Sequence, residues 1–166
     1  MMAKIIHCLT NTVIAIIVAF MALLYVPRAL GVTPYVVLSG SMEPTYHVGS
    51  LIFVNNNFDT IEIGDPVTFY ISNTTLVTHR VVAIDEQKQL YTTKGDANNT
   101  PDGSLVSYNN IAGVPIFTIP YLGYVAVFAI SFNGKIAMGS VVVLMILLGY
   151  LADLSQKDKS NASTQP

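Results

Sequence analysis

"PVTFYISNTTLVTHRVVAIDEQKQLYTTKG", residues 66–95, reads as three strands separated by two turns. Pro-Val-Thr-Phe-Tyr-Ile (66–71), Leu-Val-Thr-His-Arg-Val-Val-Ala-Ile (76–84) and Leu-Tyr-Thr-Thr-Lys-Gly (90–95) are rich in β-branched and aromatic residues. Such side chains fit a pleated, half-buried surface. Ser-Asn-Thr-Thr and Asp-Glu-Gln-Lys lie between them, short polar groups of the kind that turn a chain. Working outward, Leu-Ile-Phe-Val (51–54) adds a fourth run, and Asn-Asn-Asn and Gly-Asp-Pro separate it from the next. No helical periodicity and no repeat interrupts the pattern. The middle of the chain, residues 32–120, is therefore expected to form a small, mainly β domain.

What flanks that domain is apolar. The 166 residues are 52% hydrophobic and 11% charged. Soluble domains carry about 25% charged residues, so the deficit points to membrane segments rather than a large soluble core. Residues 12–31, after Lys4 and a short N-terminal stretch (1–11), form an apolar run near the roughly 20 residues that cross a bilayer as a helix. The run is longer than the apolar centre of a secretory leader, and no small-x-small site follows it; it is read as a retained anchor. Residues 136–152 form a second uncharged run of spanning length, and 153–166 a polar tail expected to be disordered. Between domain and second span, residues 121–135 open with an apolar run too short to cross. Tyr121 and Tyr124 suit it to a membrane–water boundary. Lys4, Lys157 and Lys159 place both termini in the cytoplasm by the excess of basic residues on that side, with Arg28 and Lys135 arguing weakly the other way. The β domain then faces outward.

Composition excludes some functions. A net charge of −2 with eight Lys and Arg leaves no electrostatic footprint for nucleic acid. One cysteine, Cys8, and three dispersed histidines offer no metal-ligand spacing, so no metal or other cofactor is expected.

A nucleophile, a base and an orienting carboxylate can nonetheless be assembled from the outward domain. Ser39-Gly40-Ser41 precedes Met-Glu-Pro just after the first span. Gly40 permits a tight backbone and Pro44 stiffens the exit, which would fix Ser41 in direction. Taken alone, such a triplet is ordinarily a plain loop. His79 lies inside a predicted strand and, by alternation, shares a face with Val77, Val81 and Ala83; a lone histidine there is ordinarily a satisfied core residue. His47 sits in a turn, and His7 on the presumed cytoplasmic side. Asp96 and Asp102 lie in a loop dense in Gly, Asn and Pro, where aspartate ordinarily accepts bonds from loop amides, yet a carboxylate can also hold a histidine in one tautomer.

Together these stretches resemble the type I signal peptidases. Ser-Gly-Ser-Met-Glu-Pro-Thr (39–45), Gly-Asp (64–65), Thr-His-Arg-Val-Val (78–82) and Lys-Gly-Asp-Ala-Asn-Asn (94–99) with Asp102 occur in that family's order, and the resemblance extends from about Val36 into the second span. It is closest in kind to the branch with a histidine base, that of the endoplasmic reticulum, archaea and some Gram-positive bacteria. A lysine base must be stripped of water to act, and Lys88 and Lys94 lie in or beside polar turns, whereas histidine titrates near neutrality unaided. The resemblance implies Ser41 as nucleophile, His79 as general base, Asp102 as the carboxylate orienting it and Asp96 as a supporting acid. It implies the Ser41 amide with the Ser39 hydroxyl as oxyanion hole. Two departures are visible: Gly49-Ser50 where Gly-Asp is common, and Ala97 inserted in the usual Gly-Asp-Asn-Asn.

The resemblance further implies a coiled-sheet catalytic domain tethered in the plasma membrane. It implies a serine endopeptidase that removes signal peptides from preproteins emerging from the translocation machinery, cutting after small residues at −1 and −3. A catalytically silent assembly factor or chaperone on the same scaffold is the alternative, and retention of both aspartates with Ser41 and His79 counts against it. A self-cleaving repressor of the LexA type is disfavoured by the two spans and the missing basic module.

Overall fold

The structure is a computed structural model that describes residues 2–162, with side chains over 4–155. Seven strands form one curled antiparallel sheet, and three α-helices flank it in sequence. Helix α1 runs Met2–Ala29, strands β1–β7 run Val32–Val36, Leu51–Asn55, Pro66–Tyr70, Leu76–Asp85, Leu90–Lys94, Val106–Ser107 and Ile111–Ile119, and helices α2 and α3 run Leu122–Ile130 and Phe132–Ala162. The chain divides into two compact units, one of residues up to Leu23 together with those from Phe128 onward, the other Leu24–Val127.

In the second unit the strand order is β1-β2-β7-β3-β4-β5-β6. The four strands expected between 51 and 95 are present as β2 to β5. The long β7 sits between β2 and β3, pairing Leu51 with Ile119 on one side and Thr68 with Gly113 on the other. Pro115 lacks an N–H for the ladder and falls where the β2–β7 register shifts, a bulge of the kind that admits proline inside a sheet. β4 departs from simple alternation. Its register with β5 shifts between Val81 and Ala83, so Ala83 is exposed and Ile84 packs on the core instead. The face expected to hold Val77, His79, Val81 and Ala83 therefore ends at Val81, because one extra residue re-aims all that follow.

Two apolar clusters hold this unit. Val67, Phe69, Val81, Tyr91, Val106 and Ile111 pack between β3, β4, β5, β6 and β7 with Ile61. Met42 and Tyr46, from the turn after β1, pack on Ile52 and Val54 of β2. Each such side chain contributes about 1.5–3 kcal/mol on full burial. The second cluster bears on the candidate site, since Met42 at 2% exposure anchors the segment that carries Ser41.

In the first unit, Lys4–Ala29 and Phe132–Ser155 are helices of 26 and 24 residues, each long and apolar enough to cross a membrane. His7 Nε2 lies 2.7 Å from Asp153 Oδ1, and the Thr10 hydroxyl donates to the Met145 carbonyl at 3.4 Å. α1 is helical from Met2, well before the apolar run, and ends against Gly31, whose φ of +77° suits glycine at a helix terminus. α3 starts at Phe132 and continues to Ala162, beyond Ala152, where the disordered tail was expected to begin. The apolar run has already nucleated the helix, and Leu154, Gln156, Lys157 and Lys159 favour its continuation.

Candidate active site

Ser41 lies in a turn built by its own backbone. Glu43 N–H donates to the Gly40 carbonyl at 3.1 Å and Tyr46 N–H to that of Met42 at 2.9 Å. The half-buried Ser41 hydroxyl lies 3.4 Å from that of Ser39, which is exposed. The backbone of Ser41 is also held from outside: its carbonyl accepts from Ala97 N–H at 2.9 Å. A Cβ on Gly95 would stand 2.6 Å from the same carbonyl oxygen. The Lys94–Asp102 loop thus packs backbone to backbone against the serine turn.

His79 is 8% exposed and pairs in register with Val67. The edge of its ring meets Phe69, centroids 6.3 Å apart. Nδ1 lies 2.6 Å from Asp102 Oδ2, and the same oxygen accepts from the Thr93 hydroxyl at 2.6 Å. Asp102 N–H donates to the Thr93 carbonyl at 2.8 Å, which pins the end of the loop back onto β5. Asp102 is oriented twice over.

Asp96 does not join His79. Arg80 takes it with two parallel bonds, Nε to Oδ1 at 2.8 Å and Nη2 to Oδ2 at 2.6 Å, and the Thr45 hydroxyl donates to Oδ2 as well. Arg80 Nη1 donates in addition to the Gly64 carbonyl at 2.7 Å. This network joins the serine turn, the Gly64-Asp65 turn and the Asp96 loop. The Arg80 bonds hold the Asp96 carboxyl below the usual carboxylate range despite partial burial, with the Thr45 bond adding to the effect. Alternation along β4 explains the division, since adjacent residues point to opposite faces. His79 takes Asp102 and Arg80 takes Asp96.

Two clefts divide the candidate residues between them. One of about 340 Å³ is lined by Ser39 and Ser41 with Val37, Met42, Ile52 and Thr78; another of about 430 Å³ is lined by His79 and Asp102, and Val77 borders both. Among the described residues, the Ser41 hydroxyl bonds to Ser39 and no direct bond joins it to the His79 ring. Such contacts are often long without substrate.

The other histidines serve elsewhere. His47 is exposed, hydrogen-bonded to Glu43 and stacked on Tyr121 at 6.4 Å. His7 pairs with Asp153 in the helical unit. Lys88 is an exposed partner of Asp85 at 3.4 Å. Reading the sequence missed Thr93, Arg80 and Thr45. Arg80 was within reach, because alternation next to a buried histidine predicts a second side chain on the opposite face; Thr93 and Thr45 carry no pattern of their own.

The family model described as signal peptidase, peptidase S26, matches residues 9–95, just over half of the chain. Signal peptidase I W of Bacillus subtilis (strain 168) is 45% identical over 89 residues, 51% of this chain and 47% of that protein. The signal peptidase complex catalytic subunit SEC11 of Lodderomyces elongisporus is 38% identical over 103 residues, 55% of this chain and 62% of that protein. The chain thus spans about half of the first relative and under two thirds of the second. Against the SEC11 subunit of Lachancea thermotolerans it is 36% identical over 135 residues, 74% of this chain and 77% of that protein. A family match of this extent, with a relative this similar over most of its own length, means that the chain belongs to the signal peptidase family, peptidase S26.

Proposed function

We propose that the chain is a membrane-bound serine endopeptidase that removes signal peptides from exported preproteins, cutting after small residues at −1 and −3. The observation that carries the reading is the His79–Asp102 bond at 2.6 Å, on a ring otherwise buried in a cleft that shares Val77 with the serine cleft. With Nδ1–H donated to Asp102, Nε2 is the nitrogen free to take a proton. Ser41 then attacks the scissile carbonyl as its proton passes to Nε2, and Asp102 stabilises the imidazolium that forms. The Ser41 amide and the Ser39 hydroxyl meet the charge developing on the carbonyl oxygen, where one such donor is worth roughly 3–4 kcal/mol. Asp96 supports the site through Arg80 and Thr45, by fixing the turn on which Ser41 rides.

The two long apolar helices support a membrane location. The proposed arrangement has the outer ends of α1 and α3 in the cytoplasm, the β unit outside the plasma membrane and α2 at the interface. Ser41 follows the first span closely in sequence, which suits a precursor cut just beyond its own apolar segment. The short side chains expected at −1 and −3 suit a cleft of this size, with the substrate extended along a strand.

The test is cleavage of an exported precursor by membranes carrying the full chain. Cutting after a small residue is expected, with Ser41→Ala reducing the rate by roughly 10⁴-fold or more and Asp102→Asn by roughly 10³–10⁴-fold. His79→Lys is expected to be inactive, since a lysine at that position replaces the ring that Asp102 orients. Undiminished cutting by Ser41→Ala would remove the nucleophile, and no cutting by any version would favour the assembly-factor role.

A further inference from the structure

The clefts divide between the two reacting groups, and the proposed chemistry gives that division a meaning. Attack by Ser41 leaves the acyl half of the substrate bonded to the serine. As the tetrahedral intermediate collapses, the C–N bond breaks and the imidazolium of His79 gives its proton to the departing nitrogen. That nitrogen, and the chain beyond it, must therefore lie against the histidine. The acyl half belongs to the cleft of Ser39 and Ser41, about 340 Å³; the amine half belongs to the cleft of His79, about 430 Å³.

We propose that this second cleft, walled by Phe69, Ile71, Leu105, Val106 and Asn110, binds the first residues after the cut and contributes to substrate selection. The inference rests on the peptidase reading. Ile71 and Leu105 line it while 62% and 59% exposed, which puts two large apolar side chains within reach of a bound chain. Beyond Tyr70, Ile71 and Asn110 the cleft continues into a polar hollow of about 580 Å³ with Ser72, Asn73 and Asn109. Apolar walls followed by side-chain amides match an extended peptide whose first side chains are buried and whose later backbone needs hydrogen-bond partners. Among the described residues, Asp102 is the one acidic side chain lining the two hollows, and it is already bonded to His79; no Lys or Arg lines either. The unsubstituted protein is therefore expected to discriminate little by charge after the cut, and a charge placed on the cleft lining should create such discrimination.

The experiment uses the full chain in membranes, with Leu105→Lys and Leu105→Glu as variants. Their substrates are one precursor carrying Asp or Lys at each of the first three positions after the cut. The expected result is a reversal at one or more of these positions: Leu105→Lys favours the Asp precursor and Leu105→Glu the Lys precursor. The kcat/KM ratio should swing by roughly three- to tenfold, the size of an exposed charge pair acting in both directions. The choice of residue at −1 should not move. An unmoved ratio with normal cutting overturns the proposal and leaves the peptidase reading intact. A swing at −1 or −3 alone assigns the cleft to the acyl half and also overturns it. If the unsubstituted chain cuts no precursor, the peptidase reading fails and takes this inference with it. Ile71→Lys and Ile71→Glu, at a residue that also lines the cleft, give the same measurement should the Leu105 variants fail to fold.

Discussion

Consecutive side chains of β4 each take a carboxylate from the same loop, and the two pairs respond differently to a change of residue. Asp96 is held by a bidentate guanidinium and is 16% exposed. Its carboxyl sits below the ordinary range in the folded chain, so it stabilises the fold at every pH above the unfolded value. That contribution is lost as pH falls through the lower, folded value. Asp96→Asn is expected to cost about 2 kcal/mol at neutral pH, the scale of hydrogen bonds to a charged group. The deficit should shrink on acidification below the usual carboxylate range. Thermal midpoints of both proteins against pH measure this, and a deficit unchanged down to strongly acidic pH would refute it. Ser41, His79 and Asp102 were legible as candidates because their residue types and order resemble a family pattern. Alternation reaches Arg80's side of the strand, but not its carboxylate partner, which is distant in sequence.

At the scale of elements, the loop after β5 fits against the serine turn with no space to spare. Gly95 has room for no side chain: a Cβ there would meet the Ser41 carbonyl oxygen at 2.6 Å and the Asn98 amide at 2.8 Å. The Asn98 amide can rotate away, but the backbone oxygen belongs to the proposed nucleophile. Gly95→Ala should therefore push Ser41 out of line and lower kcat/KM by roughly 10²-fold, the cost of about an ångström of misplacement, with a smaller loss of stability. The check is the ratio of those two effects, and normal kcat/KM in the variant would show that the turn tolerates the shift. Strands β2 to β5 were legible because turn residues bound each of them. β7 was not: Gly113 and Pro115 are breaker residues, and the strand runs through them by irregularities on its two sides, opposite Phe53 and Val54 at Pro115 and opposite Thr68 and Phe69 at Gly113. β1 was hidden because its first residues follow the apolar span directly, and β6 has only two residues.

On the scale of the whole molecule, both ends of the β unit run into helices that contact each other. His7 and Asp153 form a polar bond between α1 and α3 at 2.7 Å, near the outer end of each apolar stretch. Interhelical bonds of this type are worth about 0.6–2 kcal/mol. A double-mutant cycle on His7→Leu and Asp153→Leu should return a coupling in that range from thermal unfolding of the full chain in bilayers or micelles; additive single effects would show the pair to be idle. The two long apolar helices were legible from length and apolarity alone, but their pairing was not, since nothing local in "MMAKIIHCLT" (1–10) points to residue 153.

That pairing has a consequence for folding. Residues 24–127 are an insert whose two ends are tied to one helical unit. If the helices associate first, the insert folds as a closed ring rather than as a free chain. A covalent closure of about 100 residues removes on the order of 4–5 kcal/mol of unfolded-state entropy, and a helical clasp that stays shut acts in the same direction. Closure entropy grows slowly with length, by about 0.6 kcal/mol per doubling. Extra chain spliced into the exposed turns of the β unit would therefore add little thermodynamic burden, which makes those turns the natural places for the fold to grow.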